Sequence, residues 1–134
     1  MKKIIVSDYD ERRLRQLLEQ PAASVDFPNR QRLAHELNRA RIVSREAMPE
    51  DVVALGSTVE LAFLDEGDID TLTLTLPHEA NIGEGRISVL APLGTGMLGF
   101  RVGDIFRWPV PAGTARVQIR RKLQNTNGKA QVTA

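Results

Sequence analysis

From Thr71 to Leu76 the chain alternates threonine and leucine without a fault. A six-residue run of period two fits a β-strand with one wet face and one dry face. β-Branched threonine suits the pleat, and the leucines supply the core side. Val59, Leu61 and Phe63 alternate in the same way ahead of the turn-forming sequence Asp65-Glu66-Gly67-Asp68, so the two runs are expected to pair as a hairpin. Ile87, Val89 and Ala91 mark a third strand, Phe106, Trp108 and Val110 a fourth, and Val117, Ile119 and Leu123 a fifth. Gly113, after Pro111, turns the chain between the last two. No crossover helix of useful length fits between these strands, and the expected sheet is mainly antiparallel.

Before Pro49 the period is helical. Ser7-x-x-Asp10 and Asp8-x-x-Glu11 both offer capping oxygens and early acids, which predicts a helix over about residues 8 to 20 with Leu14, Leu17 and Leu18 on one face. Pro21, Ser24, Asp26 and Pro28 interrupt it. A second helix is expected over residues 30 to 43, carrying Leu33, Leu37 and Ala40. Narrow apolar stripes and a short connection predict an antiparallel hairpin whose arms, at 1.5 Å per residue, are only ~20 Å long. The expected fold is therefore α+β. A short coiled-coil hairpin (residues 1–48) is followed by a mainly antiparallel sheet domain (49–123) and a polar, flexible tail (124–134).

Composition removes several functions. The chain has 134 residues and no cysteine, so disulfides, thiolate metal sites and cysteine catalysis do not operate. Lys plus Arg number 18 against 17 Asp plus Glu, and the resulting charge of +1 does not advertise free nucleic acid as the main partner. The apolar run at the amino terminus stops after Ile4, Ile5 and Val6, and no later stretch approaches the ~20 apolar residues of a membrane span. A cytoplasmic protein without membrane contact is expected.

Chemical motifs are few. Gly94-Thr95-Gly96-Met97-Leu98-Gly99 spells G-x-G-x-x-G, but the following helix can last barely a turn and no acid stands ~20 residues on, so a glycine-built strand to 3₁₀ connection is expected rather than a dinucleotide site. His35 and His78 have no second ligand at zinc spacing and read as surface residues. No serine sits in a G-x-S-x-G elbow, and Asp65, Glu66, Asp68 and Asp70 read as a solvated turn. No cofactor, metal or small-molecule substrate is expected. Two arginine-biased sets stand out: Arg30, Arg32, Arg39, Arg41 and Arg45 on and after the second helix, and Arg116 and Arg120 with Lys122 on the last strand. They read either as solvated faces or as a docking surface for an acidic protein, since the planar guanidinium binds carboxylates with fixed geometry.

The stretch Ile87-Ser88-Val89-Leu90-Ala91-Pro92-Leu93-Gly94-x-x-Met97-Leu98-Gly99-x-x-Val102-Gly103-Asp104, followed by Pro111-Ala112-Gly113, resembles the carboxyl-terminal domain of bacterial Gre-type transcript elongation factors. The earlier segments Leu17-Leu18-Glu19-Gln20-Pro21-Ala22 and Met48-Pro49-Glu50-Asp51-Val52-Val53 are similar to the Rnk branch of that family, the regulators of nucleoside diphosphate kinase. The resemblance implies a helical hairpin followed by a small FKBP-like sheet. It also implies docking at the rim of RNA polymerase's secondary channel. In Gre factors a long hairpin enters the channel and an acidic pair at its tip helps hold catalytic magnesium. Here the arms are short and the tip, residues 20 to 29, offers the single carboxylate Asp26.

The resemblance and these departures together imply a non-catalytic regulator that binds RNA polymerase and competes with other channel factors, with no sequence-specific nucleic-acid binding of its own. Pro92, Leu93, Met97 and Leu98, in a glycine-bounded segment whose Gre counterpart faces polymerase, are the expected contact patch, with Arg39 and Arg41 adding electrostatic attraction. Two alternatives stand beside this reading. One is a transcript-cleavage cofactor acting through Asp26 and Glu19. The other is an FKBP-like peptidyl-prolyl isomerase, although Phe63, Phe106 and Trp108 are more economically used as core than as an open aromatic pocket.

Overall fold

The computed structural model describes residues 3–21 and 27–123; the expected tail, 124–134, lies outside the described residues. Strand β1 (Ile5–Ser7) runs directly into helix α1 (Asp8–Glu19). Ser7 caps that helix as its spacing predicts, its Oγ accepting the Asp10 N–H at 3.0 Å, and Asp8, Asp10 and Glu11 face the positive helix end.

Helix α2 (Phe27–Arg39) departs from expectation at both ends. It starts three residues early, because Pro28 falls in the first turn, where its missing N–H has no intrahelical partner to lose. It stops before residue 43, because the Ala40 N–H turns back to the Leu37 carbonyl and the Arg41 N–H donates to the Ile4 carbonyl at 2.8 Å. Residues 41–43 then form β2 (Arg41–Val43), parallel to β1, so Arg41 stands on a strand and not on the helix. The helices are antiparallel. An Arg30 guanidinium nitrogen donates to the Leu17 carbonyl at 3.0 Å, joining the start of α2 to the end of α1, while the Arg41 bond ties the other end of α2 back to the strand that precedes α1.

The remaining strands, β3 (Thr58–Phe63), β4 (Asp68–Thr75), β5 (Arg86–Ser88), β6 (Ile105–Val110) and β7 (Gly113–Leu123), form one sheet in the order β5-β4-β3-β7-β6. The β3–β4 hairpin and the β6–β7 hairpin are as expected, and β3 pairs antiparallel with β7. One pairing differs. β5 lies parallel to β4, the chain returning through two one-turn 3₁₀ helices, Pro77–Glu79 and Ile82–Glu84, and Val89 and Ala91 lie beyond the strand. Along β4 the leucines are buried as predicted, but Thr75 is buried too. Its hydroxyl donates to the Ile87 carbonyl at 3.3 Å, which satisfies it where β5 covers that end of the strand.

The first four residues of the G-x-G-x-x-G segment lie in helix α3 (Pro92–Met97), a short α-helix rather than a 3₁₀ turn, and Leu98 and Gly99 follow it. Its glycines serve packing. A Cβ on Gly94 would overlap the Ser88 carbonyl, and one on Gly96 would lie 2.7 Å from the Phe106 ring. Gly99, at φ +81°, combines a left-handed conformation with a Cβ position only 2.5 Å from the Ile4 Cβ. One apolar cluster runs through the whole fold. Leu14, Leu17, Leu33 and Leu37 of the helices join Val59, Leu61, Leu74 and Ile119 of the sheet.

Asp10 links the hairpin to the loop before the sheet. Its side chain is buried, with one carboxylate oxygen accepting the Leu55 N–H at 3.2 Å and the other an Arg13 guanidinium nitrogen at 3.3 Å. Burial raises its pKa above the ordinary 3.8, outweighing the Leu55 hydrogen bond and the Arg13 charge that lower it. The folded chain therefore holds this proton better than the unfolded chain. The resulting stability is fully present below the unfolded value and is lost as pH rises through the folded one. Asp10→Asn does not titrate. The stability advantage of wild type over this variant, measured by urea unfolding, is expected to be largest near about pH 3 and to shrink toward about pH 7; a gap independent of pH contradicts the assignment.

Among the described residues no helix is long and apolar enough to cross a membrane.

Candidate partner-binding cleft

A cleft of about 720 Å³ opens between α2, α3 and the outer strand β6. Helical spacing builds one wall: Arg32, Glu36 and Arg39 follow at intervals of four and three and so share a face of α2. The opposite wall is β6, with Ile105, Arg107 and Pro109, backed by Arg116 of β7. Ile4, Phe100 and Phe106 make the floor, and Pro92 and Thr95 of α3 close one end. Phe100 and Phe106 meet edge to face at 5.9 Å, which holds the floor rigid.

Arginines dominate the polar lining, but they are not equivalent. Arg39 pairs with Glu36 at 3.5 Å. Arg116 grips Asp65 through its backbone N–H at 2.9 Å and its guanidinium at 3.0 Å, and these bonds hold the Asp65 carboxyl below the usual carboxylate range. Arg32 donates to the neutral side chain of Asn29 at 3.2 Å, and Arg107 has no carboxylate at ion-pair distance among the described residues. Arg107 acts on Asp65 through its charge without pairing with it, and the four arginines of the lining outnumber the carboxylates of Glu36 and Asp65, so the cleft carries excess positive charge on facing walls above an apolar floor, a surface suited to an acidic and partly apolar protein segment.

The residues expected to make the contact patch do not share one environment. Leu93, Met97 and Leu98 are 6%, 0% and 1% exposed, so they belong to the core and the folded chain does not present them. Helix α3, residues 92–97, turns Leu93 and Met97 into the apolar cluster, Leu98 follows them there as the C-cap residue, and Pro92 is left half-buried at the lip of the cleft. Arg39 stands on the cleft wall. Arg41, on β2, is exposed and lies outside the lining. Asp26 lies outside the described residues, and Glu19 is exposed at the end of α1. Both histidines are exposed.

Several arginines of the sequence pattern are structural. Arg30 ties the helices together, Arg45 lies over the Tyr9 ring at 4.2 Å, and Arg120 and Arg121 both approach Glu60, where a register shift in the β3–β7 ladder brings consecutive residues to one carboxylate. Lys122 donates to the Val52 carbonyl at 3.0 Å, and burial lowers its pKa. Sequence reasoning missed Arg107. Its position between the inward Phe106 and Trp108 already marked it as outward by period two.

Residues 48–121 match the family described as transcription elongation factor, GreA/GreB, C-term. The structure superposes on a prokaryotic transcription elongation factor GreA/GreB from Nitrosomonas europaea with a TM-score of 0.75 and 36% identity, covering 92% of this chain and all of that one. The chain thus belongs to the GreA/GreB family. Within it the amino-terminal half decides the branch: residues 2–43 match the Rnk N-terminus, and the chain is 41% identical over 112 residues to the regulator of nucleoside diphosphate kinase of Escherichia coli strain K12, covering 84% of this chain and 82% of that protein. GreA of Chloroflexus aggregans is 36% identical over 87 residues, which covers 65% of this chain but only 55% of that protein.

Proposed function

We propose that this chain is a non-catalytic transcription regulator that binds RNA polymerase at the rim of its secondary channel and competes there with other channel-binding factors. The observation that carries this reading is the joining of a GreA/GreB-type sheet domain to a hairpin whose helices have 12 and 13 residues. At 1.5 Å per residue these arms are about 18 to 20 Å long, enough to fill a rim but short for reaching a deep active site. The cleft beside Pro92, with Arg32 and Arg39 on its wall, is the surface assigned to polymerase. The aromatic residues speak against an isomerase reading. Phe63 packs against Trp108 at 6.5 Å away from the cleft, and of these three aromatics only Phe106 reaches it, as a buried part of the floor.

Charge at a docking rim acts mainly on association rate, and salt screens it within about 10 Å at 0.1 M. Reversing Arg32 and Arg39 to glutamate is expected to weaken binding of core RNA polymerase roughly tenfold at low salt and much less at about 0.5 M, measured by surface plasmon resonance. Unchanged affinity at low salt would remove the cleft from this role.

A further inference from the structure

The wall of the cleft opposite α2 is an edge of the sheet, since β6 has a neighbour on one side only. Its backbone groups can be sorted by alternation. The Ile119 N–H donates to the Asp104 carbonyl at 3.0 Å, and Val110 pairs with Gly113 across a two-residue turn. Both observations place residues 106, 108 and 110 in the positions whose backbone groups face β7, in register with the Asp104 carbonyl. Ile105, Arg107 and Pro109 therefore turn their backbone groups away from the sheet, and all three are exposed residues that line the cleft. Neither the Ile105 nor the Arg107 N–H meets a loop or helix acceptor among the described residues.

An open edge invites a further strand unless it is blunted. Pro109 removes one donor, but the two at Ile105 and Arg107 remain, spaced as a partner strand requires. The facing wall is a helix, and the gap between an edge strand and a helix is a recurring seat for an extended peptide. We infer that the cleft receives an extended acidic segment of a partner protein as a sixth strand on β6. Its backbone pairs with Ile105 and Arg107, its carboxylates face Arg32 and Arg107, which no ion pair holds, and its alternate apolar side chains meet the floor at Phe100 and Phe106.

Charge selects an acidic occupant, since Arg39 and Arg116 are held in ion pairs within the chain, Arg32 and Arg107 are in none among the described residues, and the four arginines outnumber Glu36 and Asp65. Edge geometry selects an extended one, because a helix has no free backbone groups to offer β6. A nucleotide is disfavoured by the apolar floor and by the end wall, where the one hydroxyl of the lining, that of Thr95, is committed to the Val89 carbonyl. The inference rests on the reading of this cleft as a protein-docking surface, and it does not depend on polymerase being the partner.

The probe is an acetylated, amidated pentapeptide alternating glutamate and valine, with a second peptide of the same sequence N-methylated at alternate residues so that charge is kept and strand pairing is lost. With the full chain, the first peptide is expected to slow amide exchange at Ile105 and Arg107, read by NMR, and the N-methylated one to leave it unchanged. Arg107→Pro and Arg107→Ala both remove the guanidinium, but only proline also removes the N–H. The proline variant is expected to bind the peptide about fivefold more weakly than the alanine variant, the worth of one net hydrogen bond.

Equal affinities in the two variants, equal binding of the two peptides, or unchanged exchange in the wild-type chain would each overturn the strand-addition site. The exchange measurement needs no substitution, so misfolding of the proline variant does not shield the idea. Because the assay contains no polymerase, its failure does not count against polymerase binding. Conversely, polymerase that binds undiminished while the cleft is saturated with peptide would remove polymerase as the occupant and keep the site.

Discussion

Replacing Met97 with aspartate is expected to abolish folding rather than binding. Met97 is fully buried in the cluster that joins the helices to the sheet, and α3 has no freedom to retreat, because Gly94 lies against the Ser88 backbone and Gly96 against the Phe106 ring. An ionised carboxylate placed there has neither water nor a cation, and a buried unpaired charge belongs to the small class of substitutions that cost more than about 4 kcal/mol. That is comparable with the whole stability of an ordinary domain, about 5 to 15 kcal/mol. Leu93→Asp is expected to behave alike. Circular dichroism and urea unfolding should show loss of the cooperative transition for both, whereas Pro92→Asp, at the half-exposed lip of the cleft, should melt within a few degrees of wild type. A folded, cooperative Met97→Asp protein would contradict the placement of α3. Pro92, not its buried neighbours, is therefore the position in this segment at which a docking role can be tested.

The second large effect concerns catalysis. Metal-assisted phosphodiester hydrolysis gains from two divalent ions held by several oxygen ligands in fixed geometry. In the sequence of the expected hairpin tip, residues 20 to 29, Asp26 is the one carboxylate. Reach acts in the same direction as ligand count, given arms of about 18 to 20 Å. Added to stalled elongation complexes, the chain is expected to produce no shortened RNA. In excess it should suppress cleavage stimulated by a genuine Gre factor nearly completely, by occupying the same rim. Asp26→Asn should leave that suppression intact. Robust cleavage by the chain, lost in the Asn variant, would reverse the assignment and make this a cleavage cofactor.

How far the fold was legible depends on the range of the forces that set each element. The β3–β4 hairpin could be read from the sequence because alternation and turn chemistry are local, and the cap of α1 was visible because Ser7 and Asp10 are three residues apart. The β1–β2 pair was not. Each strand has three residues, and β2 exists because the Ile4 carbonyl, nearly forty residues away in sequence, accepts the Arg41 N–H where a helix would have continued. Pro28 misled in the other direction, since the same residue that breaks a helix interior suits a first turn.

The cleft was legible only in parts. The arginines of α2 were visible as a set, but their convergence with β6 depends on the packing of α3 between them. The burial of Leu93, Met97 and Leu98 was hidden because a six-residue helix has too few turns to show a period. Thr75 escaped for a related reason: only the parallel docking of β5 covers it.

If this chain occupies polymerase where Gre factors do, as proposed, the two exclude one another. The most direct test is to immobilise the full-length chain, pass purified core RNA polymerase over it, and then add a Gre factor in increasing concentration. The prediction is saturable retention of polymerase and its complete, competitive release by the Gre factor. No retention at micromolar polymerase, or a stable complex holding both proteins at once, would contradict it.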